Sequence, residues 1–151
     1  MISPELLKRY PFFGSLDEPQ LKRIASICDE VKLEAGQVIF EECDTAETLY
    51  LLEEGSVELF YRFLKAAEPP KQFYVGDINP GEVFGISSLI EPYALNATAK
   101  AAHPGKAIKV KAEALRQLME KDPVLGYRLM IQTTRTTMER LAALRVQFAG
   151  S

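Results

Sequence analysis

Between residues 31 and 110 the chain keeps no helical period. Val31 and Leu33 alternate with polar neighbours, Gly36 interrupts, and Val38 and Phe40 alternate again. Leu49-Tyr50-Leu51-Leu52 is a short apolar run. Glu53-Glu54-Gly55-Ser56 reads as a turn, after which Val57, Leu59 and Tyr61 resume period two. Phe73 and Val75 mark a further strand beyond a flexible hairpin tip at 66–71, which contains Pro69-Pro70. Asn79-Pro80-Gly81 is another turn. The last strands, 98–101 and 107–110, are parted by His103-Pro104-Gly105. Short alternating runs at this spacing, punctuated by glycine, predict an antiparallel sandwich or barrel.

Helical patterns flank the strands. Ser3 predicts an N-cap with Pro4 at the first helical position. Ser15-Leu16-Asp17-Glu18 reads as a capping box, with Pro19 in the first turn. Leu21, Ile24, Ala25 and Cys28 follow at helical spacing and predict one buried stripe, which makes Cys28 a core thiol. After the strands, 112–121 carries Leu115, Leu118 and Met119 on one face. Asp122 predicts the cap of a last helix, with Pro123 at its first position, running to about Phe148. At ~1.5 Å per residue it is on the order of 38 Å long, more than one small domain covers. Along it Tyr127, Ile131, Thr134, Met138 and Leu141 recur at spacings of four and three, and Arg145 interrupts the seam before Phe148. That is a coiled-coil stripe. Leu125, Leu129 and Leu144 lie off it, so one stripe is expected to pack on the strands and the other on a second copy, as a homodimer. Arg128, Arg135, Arg140 and Arg145 read as a solvated helix face.

The pattern thus predicts an α+β chain, one domain over 1–151, with N-terminal helices over 1–30, a β jelly roll over 31–111 and C-terminal helices over 112–148. A length of 151 residues buries a real core. A net charge of −3 provides no global attraction for nucleic acid or an anionic membrane. No apolar run approaches the roughly 20 residues that span a bilayer, the N-terminus lacks a signal peptide's pattern, and two cysteines make no disulfide framework. A cytoplasmic protein is expected. One histidine, His103, sits in a loop, and no zinc spacing, Walker loop or Gly-x-Ser-x-Gly motif occurs. No nucleophile–base pair is evident, so neither catalysis nor a metal is expected.

One stretch looks built for a ligand. "FGISSLIEPYALNATA", starting at Phe84, lays out a turn, a short helix and a returning strand, as phosphate cradles do, yet it holds no Lys or Arg and one acid, Glu91. A short helix from Ile86 would aim free N–H groups inward, and Ser87, Ser88, Asn96 and Thr98 offer neutral hydrogen bonds or serve as local caps.

With helices first, short strands next and a long last helix, the order resembles the cyclic-nucleotide-binding domain of the CRP/FNR superfamily. "YPFFGSLDEPQLKRIA" is similar to that family's N-terminal segment. "EAGQVIFEECDTAETLYLLEEGSVELFYR" is similar to its glycine-punctuated strands, and "INPGEVFG" to its lead into the phosphate cassette. The resemblance implies a ligand pocket at Phe84, Gly85, Ile86, Ser87, Ser88, Leu95, Asn96, Ala97 and Thr98. It also implies a lid on the last helix, with Thr137 and Arg140 in reach, and a homodimer through that helix. It implies no bound cofactor beyond a cyclic nucleotide or another small ligand. In nucleotide-binding members a Glu holds the ribose and an Arg pairs with the cyclic phosphate; here those positions are Ile86 and Leu95. Losing one partner of a buried charged pair costs about 2–5 kcal/mol, so dissociation constants for cyclic AMP and cyclic GMP above roughly 100 μM are expected. Transcriptional members continue into a helix-turn-helix, whereas this sequence stops three residues after Phe148, so no sequence-specific DNA binding is expected of it. Three readings stay open: a sensor or dimerisation module that has left cyclic nucleotides, a genuine cyclic-nucleotide protein with an atypical pocket that Arg140 repairs, and the sensor half of a transcription regulator. The effector and the output partner are not named by the residues.

Overall fold

The Ser3 hydroxyl accepts a hydrogen bond from the Leu6 amide at 3.1 Å and Pro4 occupies the first turn, so helix α1 (Pro4–Lys8) starts where expected. Helix α2 (Glu18–Ala25) starts later than the predicted capping box. Its cap is Asp17, whose carboxylate accepts from the Gln20 amide at 2.9 Å while the Gln20 side chain accepts from the Asp17 amide at 3.0 Å. Pro19 explains the shift. A cap at Ser15 would put Pro19 where the helix needs its first N–H donor; a cap at Asp17 keeps it among the free N–H positions. Between the two helices lies a 3-10 turn, Pro11–Phe13.

This computed structural model describes residues 1–62 and 72–150; the expected hairpin tip at 66–71 lies outside them. Six strands follow α2: β1 (Cys28–Leu33), β2 (Val38–Phe40), β3 (Thr48–Arg62), β4 (Gln72–Ile78), β5 (Val83–Phe84) and β6 (Thr98–Lys111). All their pairings are antiparallel, in the order β1-β6-β3-β4, with β2 on β6 and β5 on β3. Helices α3 (Ala112–Lys121) and α4 (Pro123–Gly150) come last. The jelly roll between N-terminal helices and a long C-terminal helix is as predicted. The helix-to-strand change falls earlier than residue 31, because Cys28 already pairs with Val110. Cys28 is a core thiol: it donates to the Ile24 carbonyl at 3.1 Å, and burial, helped by Asp29, pushes it up to about 12.

Two predicted turns are not turns. Glu53-Glu54-Gly55-Ser56 and His103-Pro104-Gly105 both lie inside unbroken strands, β3 and β6, and they face each other where the pairing register shifts. Glycine is read as a turn, but here it permits a bulge and a close crossing. Gly55 has φ +97°, and a Cβ on Gly105 would lie 2.1 Å from the Glu54 carbonyl oxygen.

The bulge also divides the core. Before it, β3 is covered on both faces. Leu49 and Leu51 pack with the helices, alongside Phe13, Ile24, Leu115 and Leu129. Tyr50 and Leu52 face the sandwich interior with Phe84 and Ala107. This two-sided burial is why the run Leu49–Leu52 shows no alternation. Beyond the bulge only Val57 and Leu59 turn inward, and period two returns.

Asp122 caps α4, accepting from the Leu125 amide at 3.2 Å, and also takes a hydrogen bond from Gln20 of α2 at 3.0 Å. Helix α4 has 28 residues, about 42 Å at ~1.5 Å each. Leu125, Leu129 and Thr133 are buried and Leu144 is half-buried. The predicted seam faces outward: Tyr127 is 68% exposed, Met138 65% and Leu141 57%, with Ile131, Thr134 and Phe148 also exposed. The arginines do not form one solvated face. Arg128 donates to the Ser15 carbonyl at 2.8 Å, and Arg140 turns inward. Among the described residues no helix is long and apolar enough to cross a membrane.

Candidate functional site

The candidate site begins with Gly85. Its φ of +76° and ψ of 29° place it in the left-handed region, and a Cβ there would lie 2.9 Å from the Thr48 carbonyl oxygen. Any other residue would have to move β3. Gly85 leads into a 3-10 turn, Ile86–Leu89. This single turn is the short helix expected from Ile86, and at that length it carries little dipole.

The hydroxyls expected at the pocket divide by task. Ser88 is fully buried, and its Oγ donates to the Gly85 carbonyl at 2.7 Å, closing the turn on itself. Thr98 Oγ1 accepts from the Glu42 amide at 3.0 Å. Both hold the frame and do not line the cavity. Ser87 Oγ lies 3.3 Å from Asn96 Oδ1 and joins the two arms of the cassette across its mouth.

Inside this frame is a cavity of about 30 Å³. Seven of the nine residues expected to form the pocket line it: Phe84, Gly85, Ile86, Ser87, Leu95, Asn96 and Ala97. Leu95 is buried at 6% exposure. Ile86 is half-buried and packs toward the helical core, so Ile86 and Leu95 flank the space but are not buried alike. Phe40 and Leu59 also line it, and the sequence reading missed them. Phe84 stacks on Tyr50 with ring centroids 5.0 Å apart, and Phe40 completes the group at 5.9 and 6.1 Å. This aromatic floor was visible only as scattered inward positions of β2, β3 and β5.

Of the two residues assigned to the lid, Arg140 reaches the cavity and Thr137 does not. Thr137 Oγ1 donates to the Thr133 carbonyl of its own helix at 2.8 Å, as side chains of this type commonly do. Arg140 Nη2 donates to the Val83 carbonyl. Burial pushes its pKa below the ordinary guanidinium value, opposed by the charges of Glu82, Tyr61 and Glu139. None of the ion pairs among the described residues involves Arg140. On the other flank Arg116 of α3, also missed from sequence, donates to the Ser88 carbonyl at 2.6 Å and lies 4.0 Å over the Tyr93 ring.

Chemically, the site is a small apolar chamber with an amide and a hydroxyl at its mouth and one cation in its wall. The hydroxyls face carbonyl oxygens or an amide, not a base.

Comparison with known proteins matches this fold. The cyclic nucleotide-binding domain family matches residues 30–122. A solved structure of a candidate cyclic nucleotide-binding protein from Geobacter metallireducens superposes with a TM-score of 0.82 at 40% identity, covering 93% of this chain and 99% of that one. The cyclic AMP receptor protein of Thermus thermophilus is 26% identical over 133 residues, which is 88% of this chain and 60% of that protein. An uncharacterized NTE family protein of Mycobacterium tuberculosis is 24% identical over 119 residues, 79% of this chain and 19% of that protein. The match over residues 30–122, which takes in the jelly roll that carries Gly85, has one explanation: the chain belongs to the cyclic nucleotide-binding domain family.

Proposed function

We propose that the chain is a non-enzymatic regulatory sensor and dimerisation module, one unit over 1–151, whose cassette does not hold cyclic AMP or cyclic GMP in the usual mode. One observation carries this reading: the space inside the cassette is about 30 Å³ and is walled by Ile86 and Leu95. Ligand sites for small molecules run to roughly 300–1,000 Å³, and a cyclic phosphate would meet methyl groups at Ile86 and Leu95, with Arg140 the one cation among the residues that line the chamber. The output surface is the exposed stripe of α4, with a second copy of the chain as its partner. Cytoplasmic placement and an absence of sequence-specific DNA binding belong to the same reading.

Light scattering at micromolar concentration tests the dimer. We expect twice the monomer mass, falling to the monomer in Met138→Asp or Leu141→Asp; a monomer unchanged by either variant counts against it. The double variant Ile86→Glu with Leu95→Arg tests the cassette. Cyclic AMP affinity should rise by about 30-fold or more, the equivalent of one regained buried charge pair. A folded double variant that binds no better contradicts the idea that these two side chains close an otherwise competent frame.

A second reading has its own support. The cassette backbone is intact around Gly85 and Arg140 stands at its wall, so a cyclic nucleotide held by amides and by that guanidinium is the competitor. The Thermus relative named as a cyclic AMP receptor protein favours it.

A further inference from the structure

Three strands and the N-terminal segment bring titratable groups together at one place. On β3, Glu53 lies where the pairing with β6 shifts register, between Leu52, opposite Ala107, and Glu54, opposite Lys106. On β1, across β6, Glu30 stands opposite Ile108 and Lys32 opposite Lys106. Tyr10, buried between α1 and the 3-10 turn, is near enough for the charges of Glu53 and Glu30 to act on its hydroxyl. Glu53 Oε1 is buried without a hydrogen-bond partner among the described residues, while its carboxyl shares a hydrogen bond with Glu30. Two carboxylates are acceptors only, so that bond exists only while one of them keeps a proton.

We propose that the proton shared by Glu53 and Glu30 is a clasp that keeps the N-terminal segment, residues 2–16, closed on the sheet, and that the segment opens more readily once the proton leaves. None of these residues lines the cassette chamber, so the proposal goes beyond the regulatory reading above and does not depend on it. With the proton gone, two like charges stand side by side against a buried ring, and they gain by being hydrated. Lys106 opposes their repulsion, but its ammonium also lies 4.0 Å from Glu54 Oε1. The strands cannot part to admit water without breaking their ladders on β6. The segment above them can: α1 has five residues and the 3-10 turn three, and side-chain packing holds them to the sheet. Burial, then the bond and charge of Glu30, raise Glu53 from 4.5 to about 7. A raised folded-state value means that the closed form holds the proton more tightly than the open one. The clasp is therefore whole at low pH and is lost as pH rises to about 7.

Amide hydrogen exchange on the whole chain tests it, corrected for the intrinsic dependence of exchange on pH. The reporters are the amides of Tyr10, Phe13 and Leu16, bonded to the carbonyls of Leu7, Tyr10 and Phe13 at 3.0, 2.9 and 3.1 Å. Amides at the centre of β3 and β6 are the reference. We expect the segment to exchange faster than the reference and to be indifferent to low urea, the mark of local opening. From about pH 5 to about pH 7.5 its protection should fall about 5-fold, the discounted scale of one shifted carboxyl. Glu53→Gln, which is neutral at every pH, should remove the fall. Glu30→Gln changes an exposed residue and should shrink the fall, which keeps the test open if the Glu53 variant does not fold. His103 is exposed at the same bulge, paired with Ser56, and is of the residue type that ordinarily titrates in this range; His103→Gln should leave the fall in place. A fall that persists in both glutamate variants, or that disappears in His103→Gln, overturns the proposal. So does a segment whose exchange rises with urea in step with β3 and β6, since it then opens only with the whole molecule.

Discussion

Two arginines approach the cassette from opposite sides, and each donates to a backbone carbonyl. Arg116 reaches Ser88 from α3 at 2.6 Å and lies flat over Tyr93. Its charge is satisfied twice, and it is half-buried, as Arg140 is. Arg140 reaches Val83 from α4, with no ring beneath it among the described cation contacts, and burial works against its charge. The first is a clamp whose removal costs structure. We expect the second to act as a plug whose removal costs little structure. The same side-chain type thus grips the cassette from α3 and from α4, and the difference comes from what else touches the guanidinium.

The comparison breaks most completely if the frame both arginines grip is removed. Phe84 is fully buried and stacked on Tyr50. Phe84→Ala should cost about 3–5 kcal/mol and lower Tm by roughly 10 °C, read by calorimetric melting. A loss below about 1 kcal/mol would mean that the aromatic floor does not hold the cassette. The next effect separates the arginines. Arg116→Ala should cost about 2 kcal/mol, from a hydrogen bond, a cation–π contact and stem packing. Arg140→Gln should cost less than about 1 kcal/mol, because a poorly paired buried cation is expensive to keep. Equal losses in urea titrations would erase the distinction between clamp and plug.

The smallest effect concerns a carboxylate in the converse position. Glu53 lies at the bulge of β3, and its Oε1 is buried without a hydrogen-bond partner among the described residues. Burial, then the hydrogen bond and charge of Glu30, push it from its ordinary 4.5 up to about 7, with Lys106 opposing. A folded-state pKa above the unfolded one means the folded protein holds the proton more tightly. This group's contribution is therefore whole below pH 4.5 and is lost as pH rises to about 7. Discounted for the solvent that reaches the side chain, the loss is on the order of 1 kcal/mol. The urea midpoint should fall between pH 5 and pH 7.5 by about 0.5 M, and Glu53→Gln, fixed in the neutral form, should remove that slope. A slope of the same size in the variant assigns it to other groups.

Local chemistry was readable in the sequence where one residue type has one use. Asp122-Pro123 could only start a helix, and the exposed seam of α4 follows from spacing alone. The frame of the cassette was readable for the same reason: Phe84-Gly85 and Asn96-Ala97-Thr98 sit on its two arms. Glycine misled, because Gly55 and Gly105 look like turn residues while they permit two strands to cross closely. The capping box slipped by two residues because Ser15 and Asp17 both offer an oxygen, and only the missing N–H of Pro19 decides between them. What stayed hidden is non-local. Phe40 and Tyr50 meet Phe84 from separate strands, and Arg140 reaches Val83 across 57 positions of chain. Nothing in the spacing of arginines on α4 distinguishes that inward one from Arg135 and Arg145, which are exposed.

The central claim is that the frame of a nucleotide cassette survives here without the side chains or the space to hold a cyclic nucleotide. Titration calorimetry of cyclic AMP and cyclic GMP into the unmodified protein tests it most directly. The account predicts no heat of specific binding, or dissociation constants above roughly 100 μM. Low-micromolar binding of either nucleotide would contradict it, and would point to backbone amides and Arg140 in place of the two anchors that the resemblance puts at Ile86 and Leu95.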